Sequence, residues 1–170
     1  MTISLIYAYI QYDVEQLAER YADAWTADPE TRFKLTLRSD EGDEADLLRR
    51  LIDTACSRLG ASLQKYLQNN PADADDSLRS DKKRDYRLRD TKADGQAVAD
   101  LMHWCAVRYA IAEWCRMQGK YREADAEAAE AATMTATLTE SLRRGSMPMK
   151  GGKAKKVEED KIFVHYGKEG

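Results

Sequence analysis

Residues 96–118 form a segment that is apolar on two sides of a helix, and this feature constrains the fold more than any other. At helical spacing, one face carries Val98, Leu101, Met102, Cys105, Tyr109 and Ala112, and another carries Trp104, Val107, Ile111 and Trp114. A helix that is apolar on two sides must be covered on two sides. We therefore expect this segment to lie at the centre of a helical bundle.

A glycine turn and an alanine-rich segment follow the central segment. Gly119 is suited to the left-handed residue that ends a helix. Small and apolar residues then recur at helical spacing up to Gly145: Tyr121, Ala124, Ala128, Ala131 or Ala132, Leu138 and Leu142. Because a stripe of alanine lets two helices approach closely, the pattern predicts an antiparallel helical hairpin.

Two more helices are predicted before the hairpin. Apolar residues three to four positions apart predict a first helix over residues 3–25, ended by Pro29. A second helix is predicted from about Glu44 to Gln68, with Asp43 as its N-cap and the sequence Asn69-Asn70-Pro71 as its end. Its apolar face consists of Leu48, Leu51, Ile52, Ala55, Leu59, Leu63 and Tyr66.

Short strands are expected beside the helices. Polar and apolar residues alternate over residues 32–38, which predicts a half-buried strand, and residues 86–89 are interpreted as a second strand that pairs with residues 33–37. The region 71–94 has seven Asp and seven Lys or Arg and is typical of a loop. Its end, Thr91–Asp94, resembles a capping box for the central helix. The predicted fold class is mainly α: a compact bundle of about four helices with a small β-hairpin and a flexible basic C-terminal tail.

The division of charge predicts two parts, a helical domain over residues 1–145 and a basic tail over residues 146–170. Residues 143–170 have eight Lys or Arg against four acids, whereas the whole chain has a net charge of -3. Residues 161–166 have strand composition, and such a strand must pair with the predicted β-hairpin or with a strand of another chain. Four tail residues are candidate DNA-proximal residues, with a solvated tail as the alternative: Lys150, Lys153, Lys155 and Lys156.

No motif in the sequence indicates an enzyme, a metal site or a cofactor. Helical spacing surrounds His103 with Ala99, Ala106 and Val107, which predicts a packing or surface role. The three cysteines have no CxxC spacing and are interpreted as core residues. No glycine-rich phosphate loop, serine-nucleophile motif or apolar stretch long enough for a membrane helix is present. We therefore predict no catalytic, cofactor or metal-binding residues, no small-molecule substrate and no membrane contact.

Aromatic residues partly replace large aliphatic residues in this chain, with nine Tyr and three Trp. Their polar tips suit half-exposed contacts, so part of the apolar surface is expected to be buried by other subunits. Five residues are candidate subunit or partner contacts: Trp104, Trp114, Tyr121, Phe163 and Tyr166.

Two resemblances point to a function. Residues 114–124 resemble the turn of a tetratricopeptide repeat, but no second copy lies 34 residues away, so only a single hairpin of this kind is indicated. That reading implies a cytoplasmic helical protein–protein interaction module.

The second resemblance spans roughly residues 1–150. An acidic turn opens a long helix at residues 40–48, and a Trp- and Tyr-rich helix contains residues 109–114. A glycine turn and an alanine-rich helix ending at residues 138–144 complete the order. This order resembles small head–tail connector (adaptor) proteins of tailed phages and prophages, although the aspartate-rich region 71–94 departs from it. The resemblance implies a ring-forming homo-oligomer between portal and tail proteins, close to DNA, found in the bacterial cytoplasm during assembly and then in the virion.

Overall fold

The computed structural model describes residues 1–38, 42–68, 79–80, 83–89, 91–145 and 161–163. Within these residues the chain is mainly helical with a small sheet, so the predicted fold class is confirmed. The elements are β1 (Thr2–Ile6), α1 (Tyr7–Trp25), α2 (Pro29–Leu35), α3 (Gly42–Ser62), a 3-10 turn (Gln64–Tyr66), β2 (Arg79–Ser80), β3 (Lys83–Arg87), α4 (Gly95–Met117), α5 (Tyr121–Gly145) and β4 (Lys161–Phe163).

Helix α4 is the centre of the fold, as its two apolar faces predict. It packs against α5 on one side and against α3 and α1 on the others. Gly119 joins α4 to α5 with a φ of 71°, and the inner face of α5 places Ala124 and Ala131 against α4 with no exposed surface. The predicted antiparallel hairpin of α4 and α5 is confirmed.

The first helix begins later than predicted, because residues 2–6 form strand β1. Its residues Ile3 and Leu5 are buried, and β1 pairs antiparallel with β3, with Ile3 opposite Tyr86. A short apolar run of this kind fits a buried strand as well as the end of a helical stripe. Residues 2–6 form a strand and not a helix because they pair with β3, about 80 residues later in the chain. The spacing of apolar residues within one segment does not reveal such a distant partner.

The strand predicted over residues 32–38 is wrong, because residues 29–35 form helix α2. Asp28 caps this helix by accepting a hydrogen bond from the backbone N–H of Thr31 at 2.8 Å. Pro29 occupies the first turn, where its missing N–H costs nothing. These start signals outweigh the alternation, and α2 has no buried residue.

The predicted hairpin between residues 33–37 and 86–89 is therefore also wrong. The sheet order is β2-β3-β1-β4, and β3 pairs with β1 and β2. Strand β4 runs parallel to β1 in the same chain, with Lys161 opposite Thr2. Residues 164–166 of the predicted tail strand, and residues 71–78, 81–82 and 90 of the predicted loop, lie outside the described residues.

Two helix starts differ by a few residues from the prediction. Helix α3 begins at Gly42, so Asp43 lies in its first turn and is not the N-cap. Helix α4 is capped by Asp94, which accepts a hydrogen bond from the backbone N–H of Gln96 at 3.1 Å. The capping residue is therefore Asp94 and not Thr91. The apolar face of α3 is buried as predicted, with Tyr66 half-buried in the following turn.

No helix within the described residues combines the length and the apolar character needed to cross a membrane.

Candidate subunit-contact site at the tip of the helical hairpin

The tip of the hairpin is the region where α4 ends at Met117 and α5 begins at Tyr121. The backbone N–H groups of Gly119 and Lys120 donate to carbonyls of the last turn of α4, at 2.9 Å each. These bonds satisfy carbonyls that a helix end leaves without partners. The tight turn holds two large apolar side chains at the surface, Met117 at 55% exposure and Tyr121 at 67%.

A stack of three aromatic rings lies behind this surface. Trp114 is buried in the core, and Trp25 of α1 stacks on it with ring centroids 5.1 Å apart. Tyr21 stacks on Trp25 in turn, with centroids 5.4 Å apart. The ammonium of Lys120 lies 5.2 Å from the Trp25 ring centroid, which favours a cation–π attraction. The stack thus connects α1 to the last turns of α4 and, through Lys120, to the turn at the tip.

A buried carboxylate, Glu127 of α5, ties three helices together near the tip. It accepts a hydrogen bond from the hydroxyl of Tyr21 on α1. Arg108 on α4 donates to both of its carboxylate oxygens, at 2.9 and 2.8 Å. Burial, together with the bond to Glu127, raises the pKa of Tyr21 well above its usual range, so the hydroxyl stays a donor. The network fixes α1 and α5 on α4.

All three cysteines are buried thiols that are not part of a disulfide, as their interpretation as core residues requires. Burial raises the pKa of the Cys115 thiol to about 12, and the charges of Glu127 and Glu123 add to this effect. Burial likewise raises the pKa of Cys105. Reactive cysteines need a thiolate, so these two side chains act as small apolar groups.

His103 is only 3% exposed, which rules out the surface alternative of the predicted packing or surface role, and its surroundings include an acid that the prediction missed. Its Nε2 lies 2.7 Å from a carboxylate oxygen of Asp13 on α1. Burial lowers the pKa of His103, and Asp13 and Asp100 oppose this effect. A neutral imidazole that donates its Nε2–H to the Asp13 carboxylate fits this geometry. In the described part of the chain, no cluster of three or more His, Cys, Asp or Glu is arranged to hold a metal ion.

The predicted contact residues fall in different places. Tyr121 is exposed at the tip, and Trp104 is half-buried against the core. The prediction is wrong for Trp114, which is only 1% exposed because Trp25 covers it from α1. Phe163 belongs to β4, whose side chains are not described, and the remaining predicted residues lie outside the described part: Tyr166, Lys150, Lys153, Lys155 and Lys156.

Sequence reasoning missed Met117, Trp25 and Lys120 as parts of this site. The signal was available only for Met117, which directly precedes the polar turn Gln118-Gly119-Lys120 and so has little chain to cover it. Trp25 ends the apolar stripe of the first helix and reads as core. Its position over Trp114 depends on how α1 crosses α4, which local spacing does not determine.

No protein-family model, curated protein or solved structure matches this chain.

Proposed function

We propose that this chain is a structural protein of a phage or prophage virion, a head–tail connector subunit that assembles as a ring between portal and tail. The exposed pair Met117 and Tyr121 at the tip carries the proposal. Methionine and tyrosine are enriched in the cores of protein interfaces. Because backbone hydrogen bonds to α4 and the contact of Lys120 with Trp25 fix the turn, contact there costs little ordering of the chain, which favours affinity.

The order of the elements supports the same proposal. In the sequence, the acidic residues 40–46 run into α3, the Trp- and Tyr-rich helix α4 follows, and a glycine turn joins it to the alanine-rich α5. This order is what the resemblance to connector proteins implies. The role we propose is structural and not catalytic, with no cofactor.

A ring needs a contact between two different surfaces of the same subunit. Besides the tip, the described residues expose two large rings elsewhere, Tyr12 on α1 and Phe33 on α2, at 56% and 55%. A tip that contacts the α1–α2 side of the next copy would be a heterologous contact, which closes into a ring when the rotation permits.

Native mass spectrometry and light scattering on the full chain, alone and with the portal protein encoded nearby, test the proposal. We expect either a ring or a weakly associating monomer that enters a complex with the portal. Substituting Met117→Ser and Tyr121→Ser together should weaken assembly by about tenfold or more, as loss of interface anchors does. The matched control, Arg122→Ser, alters an exposed polar neighbour on the same turn and should assemble normally.

A strict monomer that binds no portal protein at any concentration would overturn the proposal. Binding to a non-virion partner through the tip, without portal binding, would favour the interaction-module reading instead. Gene neighbourhood gives an independent check, because portal, capsid and tail genes should flank a connector gene.

A further inference from the structure

The open end of the hairpin, where α4 begins and α5 ends, presents a surface unlike the tip. Two adjoining grooves of about 260 and about 400 Å³ lie there. Lys65, Arg89 and Arg143 line the first groove, and Lys92 and Arg144 line the second. All five cations are exposed. We call this surface the basic end.

The backbone joins the two grooves into one surface. The N–H of Lys92 donates to the carbonyl of Gly145 at 3.1 Å, which fixes the last residue of α5 against the chain that leads into α4. Thr91 lines the first groove and Lys92 the second, so the boundary between the grooves is one peptide wide. The five cations therefore line two grooves that meet at the peptide bond between Thr91 and Lys92.

Several of these cations are held in place. Arg89 donates its Nε–H to the carbonyl of Leu67 at 2.9 Å, and the Lys65 ammonium lies 4.9 Å from the Tyr66 ring centroid. Arg143 and Arg144 both bond to Glu140, and these bonds lower the pKa of that carboxyl to about 2.

Carboxylates offset only part of this charge. Glu140 is shared between two guanidinium groups, and Asp94, which lines the second groove, is engaged in capping α4. The basic end thus keeps a net positive charge in a chain whose net charge is -3. A concentrated positive surface on an acidic protein attracts polyanions. In the sequence, four more lysines follow the end of α5, at positions 150, 153, 155 and 156.

The grooves suit phosphates better than a peptide. A peptide partner needs apolar pockets for anchoring large side chains. Leu88 and Leu142 under the first groove are only 1% exposed, and besides two alanines and the buried Val98 the second groove offers only the half-buried Leu101. Arginine forks and lysine ammonium groups spread along an open surface match the repeated charges of a nucleic-acid backbone. We propose that the basic end binds the phosphate backbone of nucleic acid without reading its base sequence. This activity does not depend on a connector role.

Fluorescence anisotropy with labelled duplex DNA and with single-stranded DNA of the same length tests this binding. For the full chain we expect both probes to bind, with affinity falling by about tenfold or more between about 50 and about 200 mM salt. The triple variant Lys65→Gln/Lys92→Gln/Arg144→Gln should lose about tenfold or more in affinity, and the slope of log affinity against log salt should decrease by about 2 to 3.

A matched control removes the same charge elsewhere. Arg20→Gln/Lys34→Gln/Arg122→Gln lie on exposed positions of α1, α2 and α5 and should leave DNA affinity within about twofold of wild type. Glu140→Gln should raise affinity, because it releases two guanidinium groups from their carboxylate. Unchanged melting temperatures would show that these surface variants are folded.

Three results would overturn the proposal. The first is no binding of either probe at low salt, and the second is an equal loss in the control and basic-end variants. The third concerns a variant in which the four tail lysines are replaced by glutamine. If adding the basic-end substitutions to that variant lowered DNA affinity no further, the tail alone would account for binding. If poly-glutamate displaced DNA as efficiently as unlabelled DNA does, an acidic protein would become the better partner.

Discussion

The two ends of the α4–α5 hairpin are built from the same pair of helices but differ in their surface chemistry. At the tip, α1 reaches the turn and its Trp25 covers Trp114, leaving Met117 and Tyr121 exposed above a packed aromatic stack. At the open end, Leu88 and Leu142 are buried, and five exposed cations line the two grooves. Contact with protein is thus favoured at the tip, and contact with a polyanion is favoured at the open end.

The largest effect should come from removing the base of the aromatic stack. Trp114→Ala is expected to lower the free energy of unfolding by about 3–5 kcal/mol, because a fully buried indole leaves a cavity. Chemical denaturation measures this change. Trp104→Ala is the control, because the Trp104 ring is only half-buried and its removal should lower the free energy of unfolding clearly less. Equal losses in the two variants would mean that the tip is no better packed than the side of the hairpin.

Breaking the carboxylate network should have the next largest effect. Glu127→Ala removes a buried acceptor used by Tyr21 and Arg108. Because Arg108 is partly exposed and can be rehydrated, we expect a loss of about 2–3 kcal/mol, toward the low end for a buried pair. Glu130→Ala, an exposed acid 3.5 Å from the same arginine, should cost under about 1 kcal/mol. Similar losses in both would show that Glu127 does not tie the helices together.

At the open end, close packing of backbone predicts a smaller effect. A Cβ added at Gly145 would lie 2.6 Å from the backbone nitrogen of Ala93, so the chain would have to shift. Gly145→Ala should therefore cost about 1–3 kcal/mol by overpacking. A Cβ at Gly42 meets nothing within 4 Å, which makes Gly42→Ala the matched control. If thermal unfolding gave equal stability for both variants, the contact between Gly145 and residues 91–93 would be disproved.

The smallest predicted effect is a dependence of stability on pH through His103. Burial lowers its pKa in the folded protein below the ordinary value of 6.5, so the unfolded chain binds a proton first as the pH falls. This contribution to stability is complete above the unfolded pKa and is lost as the pH falls toward the folded pKa. The slope for one proton cannot exceed about 1.4 kcal/mol per pH unit.

His103→Gln isolates this contribution, because glutamine can still donate an N–H to Asp13 but does not titrate. Urea unfolding of wild type and variant at about pH 7.5 and about pH 5.5 should give a flatter pH dependence for the variant. Identical pH dependence would show that His103 does not titrate differently in the two states.

The sequence predicts the hairpin well because its signals are local. The signals for the hairpin all lie within residues 96–145: two apolar faces, a glycine turn and a stripe of alanine. Each of them concerns helices that follow one another directly in the chain. Two of the misses depend on distant partners: Ile3 is a strand residue because it pairs with Tyr86, and His103 meets Asp13 across two helices. The third, helix α2, has local start signals at Asp28 and Pro29 that the alternation of residues 32–38 obscured.

Only part of the contact site could be predicted, because it too combines local signals with contacts between distant parts of the chain. Tyr121 follows the turn and is exposed, which its sequence position suggests, whereas Trp114 is covered by a ring from α1. The basic end combines side chains from three parts of the chain, around residues 65, 89–92 and 143–144, and the seven Lys or Arg of region 71–94 are matched there by seven Asp, so the sequence shows no net positive run. Such a cluster becomes visible only when the fold brings the parts together.

Measuring assembly and DNA affinity together on three proteins tests most directly whether the two ends have separate roles. The proteins are the wild type, the tip variant Met117→Ser/Tyr121→Ser, and the basic-end variant Lys65→Gln/Lys92→Gln/Arg144→Gln. The account predicts that the tip variant loses assembly but keeps the intrinsic DNA affinity of each subunit, and that the basic-end variant shows the reverse. If either variant lost both properties while remaining folded, or if neither lost any, the separation of roles would be contradicted.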